Sequence, residues 1–64
     1  LPRGIGIRNG KTLQITFPFN GRNCHEDLRL PPTMANIEHA IRFRAEILND
    51  IARGIFTGEV ADSP

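Results

Sequence analysis

The chain of 64 residues has a single cysteine, no tyrosine, no tryptophan and no run of about 18 apolar residues. Each shortage excludes something. Cys24 cannot close an internal disulfide and cannot hold a zinc ion alone, so neither a disulfide scaffold nor a zinc module is expected. A reducing cytoplasm is the default setting. Without a long apolar run there is no membrane span. The opening Leu1-Pro2-Arg3-Gly4 has no apolar signal core, so no secretory signal is expected in the chain as given. It does not start with Met, which suggests a piece of something longer. The size is also small for an enzyme, because few chains this short close a catalytic pocket.

What is present reads as one small globular domain, 39% hydrophobic and 23% charged. Such a domain buries only about 60% of the surface its unfolded chain exposes, so every apolar contact counts. The net charge of +1 is unevenly distributed. Residues 1–31 hold five cations against two carboxylates, and residues 32–64 hold three against five. A basic first half hints at an anionic partner, although small domains also scatter charge this way by chance.

The first half reads as strands. Ile5-Gly6-Ile7-Arg8 alternates and stops at Asn9-Gly10. Leu13 to Phe19 alternates over seven positions, the period of a half-buried strand. Asn20-Gly21 is a strong two-residue hairpin signal, because a type I′ turn needs positive φ at both central residues. A third alternating run follows through Cys24, Leu28 and Leu30 and closes at Pro31-Pro32.

Register follows from these turns. The Asn20-Gly21 loop pairs Phe19 with Arg22, Phe17 with Cys24, Ile15 with Glu26 and Leu13 with Leu28. For the first hairpin a two-residue loop would turn both isoleucines outward. A three-residue loop, Asn9-Gly10-Lys11, pairs Ile7 with Leu13 and Ile5 with Ile15, and the hydrophobic pattern selects it. Leu13, Ile15, Phe17, Cys24 and Leu28 then share one face. Arg8, Gln14, Thr16, His25, Asp27 and Arg29 share the other, with Gly6 opposite Gln14. Pro18 falls in the central strand, where its missing N–H faces the end of the first strand and is tolerable.

The second half reads as one helix. Thr33 is a good N-cap, apolar residues recur at 37, 40, 41, 45, 48, 51 and 52, Phe43 and Ile47 widen the stripe, and Gly54 is a stop signal. Arg42, Glu46, Asn49 and Arg53 take the far side. Arg44 interrupts the apolar arc, which places it at a partner-facing edge or opposite Glu26. Ile55 and Phe56 are expected to fold back on the core. Beyond them the breaker-rich tail lacks any period. The expected fold class is therefore α+β: a three-stranded antiparallel β-meander packed on one C-terminal α-helix, with the outer sheet face left uncovered.

No catalytic constellation emerges. Cys24 and His25, and likewise Glu26 and Asp27, are strand neighbours whose side chains diverge. His25 and His39 lie on different layers, so no metal site is expected, and no helix follows the early glycines to make a phosphate loop. The outer sheet face has a sharper reading. A β-sheet fits the major groove, where Arg and Gln read guanine and adenine edges. Arg8, Gln14, Thr16, His25 and Arg29 are the candidate readers. Arg3, Lys11 and Arg22, at the sheet ends, are the candidate phosphate contacts. An ordinary solvated sheet face has a similar composition, and Asp27 counts against DNA. RNA is disfavoured because the face has no aromatic pair for stacking.

The segments Gly4 to Phe17, Leu28-Arg29-Leu30-Pro31-Pro32-Thr33 and Arg42 to Gly54 resemble, in order and spacing, the amino-terminal arm-binding domain of phage and prophage integrases of the tyrosine recombinase family. The resemblance covers roughly residues 3–56. It implies a three-stranded sheet on a helix that binds double-stranded DNA at arm-type sites through the sheet, supporting integration and excision of a phage genome. Pro18 and Asn23 stand where that family often has longer polar or basic residues, so this sheet face is less basic. The catalytic tyrosine would belong to a later domain, since this chain has none. The implied division is a DNA-binding domain over 1–56 and a linker over 57–64. It further implies a bacterial cytoplasmic setting and possible contact with other integrase subunits, with no cofactor, metal, membrane or small-molecule ligand. A protein–protein interaction module within a recombination complex is the alternative.

Overall fold

The structure, a computed structural model, describes residues 1–59. Strands β1 (Ile5–Arg8), β2 (Thr12–Phe19) and β3 (Arg22–Asp27) precede one helix, α1 (Met34–Ala52). The sheet is antiparallel in the order β1-β2-β3, so the α+β meander-and-helix architecture is the one the sequence predicts.

Both hairpins have the expected register. Ile5 pairs with Ile15, Ile7 with Leu13 and Arg8 with Thr12, leaving Asn9-Gly10-Lys11 as the loop. Asn9 and Gly10 have φ of 54° and 67°, and the Lys11 amide donates to the Arg8 carbonyl at 3.0 Å. In the second turn, Asn20 and Gly21 have φ of 54° and 76°, the left-handed backbone that Asn and Gly tolerate best. Pro18 pairs with Asn23, and its nitrogen faces the side of β1. There β1 has already ended, because Gly4 is the last partner of Thr16.

The third strand is shorter than expected. It stops at Asp27 instead of running to Leu30. The Leu13 carbonyl accepts from the Leu28 amide, while the Leu13 amide donates past it to the Leu30 carbonyl, both at 2.9 Å. Arg29 is squeezed out between them at φ 58°. This bulge turns Leu28 and Leu30 both toward the core, which strict alternation also achieves, but it removes Arg29 from the strand.

Thr33 caps α1, its hydroxyl accepting from the Asn36 amide at 3.2 Å. At the other end the Gly54 amide bonds to the Ile51 carbonyl and the Ile55 amide to the Asp50 carbonyl, each at 3.0 Å, with Gly54 at φ 74°. This is the Schellman arrangement that only a left-handed residue permits.

The core is Ile5, Leu13, Ile15, Phe17 and Leu28 from the sheet side, closed by Ala40 and Ile47 of the helix. Leu13 and Ile15 are fully buried, each contributing about 1.5–3 kcal/mol. The buried helical stripe is rotated from the expected one. It runs through Ile37, Ala40, Arg44, Ile47 and Ile51, whereas Ala45 and Ala52 face solvent and Ile41 is 40% exposed. Small alanines tolerate exposure, so the larger side chains set the rotation.

Phe56 folds back as expected, meeting Phe17 and Phe19 edge-on at centroid distances of 5.6 and 4.9 Å. Ile55 does not, being 53% exposed, because the Schellman turn aims it outward. The tail expected to serve as a linker lies outside the described residues from Val60 onward. Replacing Phe56 by Ala removes both edge-to-face contacts. The expected loss is about 2 kcal/mol, a fall in melting temperature of roughly 10 °C for a domain this small. Thermal denaturation followed by circular dichroism checks it.

Candidate nucleic-acid interface

Helix α1 covers one face of the sheet, and the described residues leave the other uncovered. Alternation places Gly6 and Arg8 of β1, Thr12, Gln14, Thr16 and Pro18 of β2, and Asn23, His25 and Asp27 of β3 on that outer face. Gln14 sits centrally, between Gly6 on one side and Asp27 on the other. A Cβ at Gly6 would meet nothing within 4 Å, so the space beside Gln14 is open. Thr16 and His25 are cross-strand partners, and the Thr16 hydroxyl and His25 Nδ1 share a hydrogen bond of 3.0 Å.

Asp27 organises the other end of the face. Its Oδ1 accepts from the Arg29 amide at 2.8 Å and its Oδ2 from the Thr12 hydroxyl at 3.2 Å. Arg8 Nη1 lies 3.8 Å from the same Oδ2. The carboxyl is held below its ordinary value, first by the Arg29 amide bond. Desolvation opposes this, and the Thr12 hydroxyl and the charges of Arg8 and Arg29 add to the lowering. Asp27 therefore stays ionised at neutral pH and shares the charge of Arg8, whose side chain remains 58% exposed.

Four of the five expected readers are thus brought together: Arg8, Gln14, Thr16 and His25. Arg29 is not on the strand row but in the left-handed bulge beyond it, near Asp27. The expected phosphate contacts divide. Arg3 precedes β1 and borders an open cleft, and Lys11 is exposed in the first loop. Arg22 pairs with Phe19 and has the parity of Cys24, so it leaves the sheet on the helix side at the tip of the second hairpin. Arg3 and Arg22 bracket one end of the face, Lys11 and Arg29 the other.

Two features escaped the sequence reading. Thr12 holds Asp27, a diagonal contact across β2 and β3 that pairing alone leaves unspecified. Arg44 does not pair with Glu26; its Nε donates to the Thr16 carbonyl at 2.6 Å, at the sheet edge where β1 gives out. The signal was the series 37, 40, 44, 47 and 51, which puts Arg44 at the centre of the stripe.

A half-covered meander with a polar, hydrogen-bonding outer face and cations at both ends defines a sheet-presenting binding module. Comparison with family models matches the Arm DNA-binding domain over residues 2–60, and the chain belongs to that family, the non-catalytic arm DNA-binding domain of integrases. DNA is accordingly its partner class. No curated protein and no solved structure matches the chain.

Because the folded carboxyl of Asp27 is lowered, its contribution to stability is present above its ordinary value of 3.8 and is lost as pH falls through the lower folded value. Stability measured by urea denaturation should drop on acidification below about pH 4, and Asp27→Asn should flatten part of that fall. An unchanged acid limb in the variant would contradict the assignment. Gly6 yields a second test. Gly6→Thr should stabilise the strand by about 0.5–1 kcal/mol and raise the urea midpoint, because the open space beside Gln14 takes the side chain without a clash.

Proposed function

We propose that the chain is the amino-terminal arm-binding domain of a phage or prophage tyrosine recombinase, and that its outer sheet face enters the major groove of arm-type sites. The observation that supports this reading most is the uncovered row of Arg8, Gln14, Thr16 and His25 in one register, flanked by cations. A twisted three-stranded sheet fits the width of the major groove. Arg8 and Gln14 have the side chains that form bidentate bonds with guanine and adenine. Thr16 and His25, bonded to each other, present a second polar point. Arg3, Lys11, Arg22 and Arg29 neutralise phosphates along the two ends and position the sheet without reading sequence.

The parent would hold the catalytic tyrosine in a later domain, joined through the segment from residue 57 onward. It would act in the bacterial cytoplasm, with other integrase subunits on the same DNA. Within that scheme this domain adds affinity and address, and the chemistry of strand exchange occurs elsewhere in the parent. Asp27 tempers non-specific binding by opposing phosphates at the Lys11 end.

Salt titration tests the reading. DNA binding should weaken steeply with rising salt through counterion release, whereas a protein contact through the same face should not. Arg8→Ala or Gln14→Ala should lower discrimination between cognate and scrambled duplexes by about 1–3 kcal/mol. Arg3→Ala, Lys11→Ala and Arg22→Ala should each weaken all duplexes alike and reduce the salt slope by about one unit. Fluorescence anisotropy measures both effects. Wild-type discrimination in the Arg8 and Gln14 variants would remove the outer face from the role of reader.

A further inference from the structure

Arg44 stands between Ala40 and Ile47 on the buried side of α1, yet its guanidinium ends at the level of the sheet. Its Nε donates to the Thr16 carbonyl at the point where β1 begins. In a longer first strand that carbonyl would take a backbone amide. Here Gly4 returns only half of the pair, accepting from the Thr16 amide at 2.8 Å, and then turns away at φ 81°. The guanidinium fills the space that a Cβ at Gly4 would occupy, so Arg44 replaces the missing backbone donor. One of its five N–H groups is used in this way.

The other four, on Nη1 and Nη2, have no partner among the described residues. No side-chain polar atom there is both buried and unpartnered, so these groups reach solvent. They reach it in an open cleft of about 380 Å³ bordered by Arg3, Gly4, Gly6, Pro18 and Asn23. Gly6, Pro18 and Asn23 have the outer parity and Ile5 and Phe17 the inner one, so the cleft runs through the open β1 edge of the sheet and reaches the outer face. No carboxylate borders it.

We propose that this cleft is a phosphate site, in which Arg44, reaching through from the helix layer, and Arg3 together grip one DNA backbone phosphate at the end of the sheet nearest Asn20-Gly21. The proposal rests on the DNA-binding reading above. A guanidinium fork suits paired phosphate oxygens, and one already anchored by a carbonyl loses less freedom on binding than a free surface arginine. The glycines at positions 4 and 6 keep the approach clear of side chains. A free inorganic phosphate offers the same chemistry and is the competing occupant.

The test uses a random-sequence duplex of about 20 base pairs, since a phosphate contact does not depend on sequence. In Arg44→Gln the amide can still donate to the Thr16 carbonyl while the charge is gone. Its affinity should fall several-fold and its salt slope by about one unit, with the melting transition retained. Independently of any variant, the Arg44 Nε–Hε signal of the wild-type chain should move when the duplex is added, at duplex concentrations where equimolar inorganic phosphate leaves it in place. A wild-type chain that binds the duplex while the Arg44→Gln slope and the Arg44 signal stay unchanged overturns the site alone. Movement with inorganic phosphate but not with duplex assigns the cleft to a small anion and also overturns it. A wild-type chain that binds no duplex at all overturns the DNA-binding reading, and the site with it.

Discussion

One helix can cover one face of a three-stranded sheet, and that limit governs most of what this chain does. Leu13, Ile15 and Phe17 need the helix to leave water, and with Ile5 and Leu28 they make the sheet half of the core. Their period of two then forces Thr12, Gln14, Thr16 and Pro18 to the opposite side, where nothing in the described residues covers them. The face proposed to meet DNA is thus the direct remainder of core formation. A slip of one residue in either hairpin would exchange the two faces, so the two positive-φ turns at Asn9-Gly10 and Asn20-Gly21 fix the composition of the outer face as much as the fold.

The edges of the sheet show how a small domain copes with short strands. At the start of β1 the ladder loses a backbone donor, and Arg44 supplies one from the helix. At the end of β3 the ladder skips a residue, and the Asp27 carboxylate takes up the Arg29 amide exposed by the bulge. In both places an ionised side chain satisfies a backbone group that would otherwise need water, a stronger bond than a neutral one. Both repairs leave arginines close to the outer face. Stability and charge placement therefore share the same side chains, and the ends of the sheet are where cations collect.

Much of this was legible beforehand. The turns at 9–11 and 20–21, the pairs from Ile5–Ile15 to Phe19–Arg22, the Thr33 cap and the Gly54 stop all follow from local chemistry that has few alternatives. The shared outer face of Arg8, Gln14, Thr16 and His25 came with them, because register determines facing. The errors lie where local rules are ambiguous. Alternation of Leu28 and Leu30 is compatible with a straight strand or with a bulge, and the bulge displaced Arg29. Counting alanines as apolar rotated the expected helical stripe toward Ala45 and Ala52, away from Arg44.

The sequence by itself determined the strand register, the extent of the helix and hence which residues face away from the core, because each depends on contacts between near neighbours or on a turn that admits one geometry. Only the tertiary structure decided the partner of Arg44, the bond from Thr12 to Asp27, the choice of Phe17 and Phe19 as edge-on partners of Phe56, and the outward aim of Ile55. These depend on the distance and tilt between helix and sheet and on where a strand gives out. Such quantities emerge when two layers settle against each other, and no spacing along the chain encodes them.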